Sequence, residues 1–155
     1  MGLEKIIADN LIVLGIELPE PPLPGGSYVS VNVVNTVAYV AIQFPIVDNK
    51  FSFQGRLGKE LTTADGYKAA EICALNVLGA INKYVGWNKV YQLNHFDACY
   101  RAVEDWDDAP KVINGASDMF LKVMGDAGKH SRSIMGVYSL PRNFAVGITA
   151  TFTLN

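Results

Sequence analysis

From Phe144 to Leu154 the chain alternates without a break. Phe144, Val146, Ile148, Ala150, Phe152 and Leu154 fall on one face of an extended segment, and Ala145, Gly147, Thr149, Thr151 and Thr153 on the other. A period of two belongs to a strand with one face against a core. Such a sheet must be covered on that face by other elements, and helices are the usual cover. Two segments supply them. In the first, Thr63 to Val85, Ala70, Ala74, Leu78, Ile81 and Val85 recur every three to four residues, Thr62 and Asp65 have capping-box spacing, and Gly86 closes the helix. In the second, Pro110 suits a first turn, Val112, Ala116, Phe120 and Val123 share a face, and Gly125 and Gly128 end it.

The remaining elements follow from the same periods. Residues 3–15 read as a short amphipathic helix stopped by Gly15, followed by Pro19, Pro21, Pro22, Pro24, Gly25 and Gly26, a stiff connector with a flexible end. Val29, Val31 and Val33 alternate with polar residues as in a half-buried strand, and Asn35 turns the chain into Val37–Phe44. That run is apolar almost throughout, which predicts a strand covered on both faces. Residues 51–57 are a further short strand candidate, Lys89 to Tyr100 and Ser133 to Leu140 are longer ones, and Arg101 to Asp108 is an acidic loop. The order predicts an α+β fold, with two helices on one face of a mixed sheet, in a single domain over 1–155 whose first 26 residues are the helix and connector.

Composition narrows the function. Half of the 155 residues are hydrophobic, so a core needs no metal or disulfide staple. A formal net charge of −2 lacks the positive field that non-specific nucleic-acid binding requires. Cys73 and Cys99 form no CxxC pair, and no Cys/His cluster has zinc spacing, so neither metal nor other cofactor is expected. Free buried thiols suit a reducing compartment. The apolar run Leu11–Ile16 is too short for a signal or membrane segment, which predicts a cytoplasmic protein with no membrane partner.

Four stretches together resemble the RidA/YjgF family, specifically its longer members. They are LGIELPEPPLPGGSYV, TTADGYKAAEICALNVLGAI, PKVINGASDMF, and GKHSRSIMGVYSLPRNFAVGITATF with its Arg132-Ser133 pair and Leu140-Pro141. The resemblance implies a chorismate-mutase-like domain, a homotrimer with a cleft at each subunit interface, and hydrolysis of reactive imines or enamines to keto acids and ammonia. Some members are described as endoribonucleases or translation inhibitors.

The resemblance also implies site residues. Arg132 matches the arginine that holds a substrate carboxylate, for which a fixed guanidinium fork is well suited. The plain alternative is a surface arginine on a turn. Ser133 stands beside it. Tyr28 matches a cleft tyrosine, or is a sheet-edge aromatic, and Asn114 matches a cleft asparagine, or is a solvated helix residue. Two positions depart from the pattern. Deaminating members carry a glutamate on the last strand where this chain has Gly147, with Thr149 at the next acidic position, and glycine cannot handle the protons of water. The family's Ser-Gly-Gln is Ala41-Ile42-Gln43 here. A strand glycine also marks a bulge or a close backbone approach, and under that reading Gly147 leaves a larger cleft for a bulkier ligand.

His95 and Asp97, two apart in a strand, point the same way and are the catalytic candidates in place of the glutamate, against a plain reading as a hydrogen-bonded polar face. His130 and Glu71 read as solvated residues, and Cys99 has no positive neighbour to activate it. Three functions compete: an imine deaminase of altered specificity, a non-catalytic trimer that binds small carboxylates, and an RNA-directed protein. The acid balance weighs against the last, and Gly147 against the first.

Overall fold

The computed structural model describes residues 1–155. Its elements are α1 (Leu3–Leu14), β1 (Val31–Val34), β2 (Val37–Gln43), β3 (Ile46–Val47), β4 (Lys50–Phe51), α2 (Thr63–Tyr84), β5 (Val90–Tyr100), α3 (Ala109–Met124), β6 (Ser131–Gly136) and β7 (Val146–Leu154). Five strands form one sheet in the order β1-β2-β7-β5-β6, and β3 and β4 pair as a separate hairpin. All pairs of the large sheet are antiparallel except β5 and β6, which run parallel because α3 carries the chain back between them. This is the mixed sheet with helices on one face that the sequence pattern predicts.

The long alternation at the C-terminus sets the layers. Val146, Ile148, Ala150 and Phe152 are buried beneath α2 and α3, while Thr149, Thr151 and Thr153 are half-buried on the open face. Phe96 of β5 and Phe120 of α3 meet in the core with ring centroids 5.5 Å apart. α2 begins with a reciprocal cap: Asp65 N–H donates to Thr62 Oγ1 (3.1 Å) and Thr62 N–H donates to Asp65 Oδ2 (2.9 Å). Two backbone donors that the first turn leaves without partners are satisfied in this way. α1 ends at Gly15 in the left-handed region, as its glycine predicts, and packs on α3.

Four expectations need correction. β2 is covered on one face only: Ala38 and Val40 are buried while Tyr39 is 49% exposed. The first strand starts at Val31 rather than Val29. Of residues 51–57 only Phe51 lies in a strand, because left-handed φ at Phe53 breaks the extension and leaves single bridges at Gln54 and Leu57. β6 stops at Gly136, and a 3-10 turn over Pro141–Asn143 precedes β7. Arg142 (φ 56°) and Asn143 (φ 58°) reverse the chain in that turn. No helix is long and apolar enough to cross a membrane.

Candidate functional site

Arg132 lies on β6, an edge strand, in register with Phe96. Phe96 faces the helices, so Arg132 does too, and its side chain runs out beneath α3. There its Nη1 donates to Asn114 Oδ1 (2.9 Å) and to Ser117 Oγ (3.0 Å). Ser117 also bonds His130 Nε2 (2.9 Å), and His130 Nδ1 bonds the Gly128 carbonyl (2.6 Å). The His130 ring packs on Phe96 at 4.9 Å between centroids. His130 is therefore a half-buried strut with both nitrogens bonded, not the solvated loop histidine expected from its glycine-rich turn. None of the chain's ion pairs includes Arg132. The guanidinium is thus half-buried and oriented by two neutral acceptors at one nitrogen. The rest of its fork is uncommitted, and that is a geometry able to receive a carboxylate.

The neighbouring serines face the other way. Ser131 and Ser133 pair with His95 and Asp97 on the open face of the sheet. Here His95 Nδ1 bonds Ser131 Oγ (2.6 Å), and His95 Nε2 bonds Asp97 Oδ1 (3.1 Å) with Ser133 Oγ at 3.4 Å. Both ring nitrogens are engaged, and neither cavity described below includes the cluster. Cys99, further along β5, has its thiol pushed up by burial and by the Asp97 carboxylate, the opposite of activation. Cys73 is buried, pushed up by desolvation. Glu71, expected to be solvated, is half-buried, and its carboxyl is raised chiefly by desolvation. No group of three or more His, Cys, Asp or Glu is placed to hold a metal ion.

Tyr28 lies just before β1, on the other edge of the sheet from Arg132. Four interstrand spacings separate β1 from β6, or roughly 19 Å. One protomer therefore brings Arg132 and Asn114 together, and Tyr28 can join them only from a second copy. Tyr28 borders a cavity of about 750 Å³ that includes Ile42, Phe44 and Phe144. Its hydroxyl accepts a hydrogen bond from Gly25 N–H (3.0 Å). A second, more open apolar hollow beside it is formed by Tyr28, Val29, Asn32 and the β2 residues Tyr39 to Ile42.

Gly147 is not an empty position. A Cβ built there would lie 2.8 Å from Ile42 Cδ1 and 2.8 Å from Phe44 Cε1. The side chains of β2 and the residue after it fill the space that a β7 side chain would need. The glycine does mark a close approach, but the larger cleft expected with it is not found, because Ile42 and Phe44 occupy the space beside it. Ser117 was the site residue hardest to see in the sequence. The available signal was its spacing, three residues after Asn114 on one helix face.

A mixed five-stranded sheet with two helices packed on one face defines the chorismate-mutase-like class of small α+β proteins. Residues 8–152 match the family model described as "YjgF/chorismate mutase-like, putative endoribonuclease", and the chain belongs to that family. It is similar to Protein TCP17 of Trypanosoma cruzi, 34% identical over 96% of this chain and 94% of that one. Two crystal structures share the fold closely. One, from Shewanella oneidensis and described as a "putative endoribonuclease", is 28% identical with a TM-score of 0.92 over 96% of this chain and 99% of that one. The other, Atu1372 from Agrobacterium tumefaciens, of unknown function, is 29% identical with a TM-score of 0.90 over 99% and 95%.

Proposed function

We propose that this protein binds small carboxylates in clefts between its own copies, and that it does so without the imine-hydrolysing step of its deaminating relatives. The observation that carries the binding is the Arg132 guanidinium, held at one nitrogen by Asn114 and Ser117 and facing no carboxylate of its own chain. A guanidinium without a counter-charge is the natural partner of an incoming carboxylate. Arg132 and Tyr28 sit on opposite sheet edges, so a cleft using both joins two copies, and the family resemblance makes three copies the expected assembly.

Hydrolysis of an imine adds water across the C=N bond and moves protons between water and nitrogen. This needs a group that can give and take them. At Gly147 there is none, and Ile42 and Phe44 close the space. His95 and Asp97 are the remaining candidates, but they are bound to each other and to Ser131 on the open face. A net charge of −2 gives no support to an RNA-directed role.

The test generates 2-aminoacrylate in the presence of the purified protein, follows its decay, and titrates pyruvate by calorimetry. Pyruvate binding that is lost in Arg132→Ala, with no acceleration of decay, is the expected result. Acceleration abolished by Arg132→Ala would overturn the non-hydrolytic reading. A monomer at micromolar concentration by light scattering would overturn the shared cleft.

A further inference from the structure

Arg132 is one end of a chain of hydrogen bonds that runs through Ser117 to His130. The direction of each bond follows from what its atoms can do. A backbone carbonyl only accepts, so the 2.6 Å contact between His130 Nδ1 and the Gly128 oxygen places a proton on Nδ1. In the neutral ring, Nε2 then carries no proton and can only accept. The Ser117 hydroxyl, 2.9 Å away, must donate to it. A hydroxyl has one proton, and here it is committed to the ring. The lone pairs of Ser117 Oγ are left for the Arg132 Nη1 donor at 3.0 Å.

A second proton on His130 reverses the middle bond. Nε2–H then donates to Ser117 Oγ, which accepts from the ring and from Arg132 with its two lone pairs. The hydroxyl proton is released and has no acceptor left in the chain of bonds. Ser117 Oγ stands 3.0 Å from Arg132 Nη1, so an anion received by that guanidinium lies beside the freed donor. The charged ring also adds a second positive charge near Arg132, and an anion between them relieves the repulsion.

None of the chain's own carboxylates is bonded to this ring. α3 presents Ser117 and Phe120 to it, β5 presents Phe96, and the turn before β6 presents the Gly128 carbonyl. Arg132 of β6 is the charge linked to it. The other charges of these elements are engaged elsewhere. His95 and Asp97 of β5 pair with each other on the opposite face of the sheet, and Asp126 and Lys129 pair beside the turn. On α3, Asp118 is bonded to Tyr67, Lys111 pairs with Asp108, and Lys122 acts on Glu71.

We infer that His130 is a positioning residue for ligand binding at Arg132, and that its protonation tightens the hold on a carboxylate as the pH falls. The inference rests on the carboxylate cleft proposed above and adds its regulation. Histidine is the side chain suited to this, because it changes charge between about pH 5 and 8. The ligand and Arg132 stay ionised across that range, so neither supplies the dependence. Linkage fixes the sign: if the protonated ring favours the anion, the anion favours the protonated ring by the same factor.

The test titrates the intact protein with pyruvate by calorimetry at a series of pH values from about 8 to 5. Affinity is expected to rise about tenfold over that range. His130→Phe, which keeps an aromatic ring against Phe96, should flatten the profile. So should Ser117→Ala, in which the ring still gains its proton but has no hydroxyl to turn. Melting temperatures check that both variants are folded. In the parent protein, NMR of the His130 ring at a fixed pH near 6.5 should show pyruvate raising the protonated fraction, a readout that needs no variant. Pyruvate that binds equally at both ends of the pH range would overturn the role of His130 and leave the cleft standing. A full tenfold rise kept in Ser117→Ala would overturn the relay through the hydroxyl. No binding at any pH would overturn the cleft itself, and its regulation with it.

Discussion

Ile42 and Gly147 share one space. The Cδ1 of the isoleucine lies 2.8 Å from the point where a Cβ on Gly147 would stand, and Phe44 closes in from the side at the same distance. Side chains of β2 and the residue after it fill the space beside Gly147, so the two positions are coupled. Gly147→Ala should cost about 1–3 kcal/mol through overpacking. In an Ile42→Val background, which deletes the crowding methyl, the same change should cost at least about 0.5 kcal/mol less. Denaturant unfolding of the four proteins measures this directly, and strictly additive costs would show that the two positions do not touch. The coupling also predicts that Gly147→Glu alone cannot install a working water-handling group. It would lower the melting temperature and leave 2-aminoacrylate decay at the background rate.

The periods of the sequence carry the fold well where one face is buried. α2, α3, β5 and the late alternation of β7 all follow from apolar spacing, because burial on one side leaves a regular trace. They do less well at β2, whose apolar run looks doubly covered although Tyr39 stands exposed. An apolar run of this length reads the same whether one face or both are buried, so pattern alone does not separate the two. Turns set by left-handed residues, at Phe53 and at Arg142–Asn143, leave no periodic signal at all.

The site shows the same division. Arg132 could be picked out from its neighbours in sequence, but its partners could not all be named. Ser117 and His130 join it through the packing of α3 on β6, and Arg142 joins the cavity through a strained turn. His95, Asp97 and Ser133 share a face by simple alternation, and the side chains do meet there. Alternation also sends Arg132 to the opposite face from Ser133, a consequence already present in the sequence.

Asn114 should act on ligand binding through Arg132 rather than on stability. It is exposed, and its Oδ1 accepts from Nη1 at 2.9 Å. Removing it frees the guanidinium to turn, at a cost of about 1 kcal/mol in oriented hydrogen bonding. Asn114→Ala should therefore weaken pyruvate about fivefold by calorimetry with no change in melting temperature. An unchanged affinity would show that Ser117 alone suffices to hold Arg132.

Asn76 should matter for stability and for the β3–β4 hairpin together. It is buried in α2, and its Nδ2 donates to the carbonyls of Phe44 (3.0 Å) and Ile46 (2.9 Å). Its own Oδ1 has no partner, so the amide is oriented by the two carbonyls it serves. Asn76→Leu leaves both carbonyls short of a donor and should cost about 2–4 kcal/mol. Because those carbonyls flank the turn into the hairpin, the loss should loosen β3 and β4 as well, read as faster amide hydrogen exchange there. A stable variant with unchanged exchange would show that the strand and hairpin hold their places without the amide.

Asp65 gives the fold a defined acid limb. Its carboxyl is held below its ordinary value of 3.8, first by the Thr62 backbone N–H and then by the Thr62 side chain. A depressed carboxyl binds protons less readily when folded than when unfolded, so the folded state gains from the charged form. That contribution is complete above the unfolded value and is lost as the pH falls below 3.8 through the lower folded one. Asp108 behaves in the same sense, lowered first by Lys111 and then by Thr63, so some acid sensitivity persists without Asp65. Asp65→Ala should be less stable than the parent at neutral pH, and the gap should narrow as the pH falls below 3.8. Urea midpoints at a series of pH values measure this. A gap that stays constant into acid would place the benefit of Asp65 in helix packing and not in its charge. Convergence would assign it to the carboxylate that closes the first turn of α2.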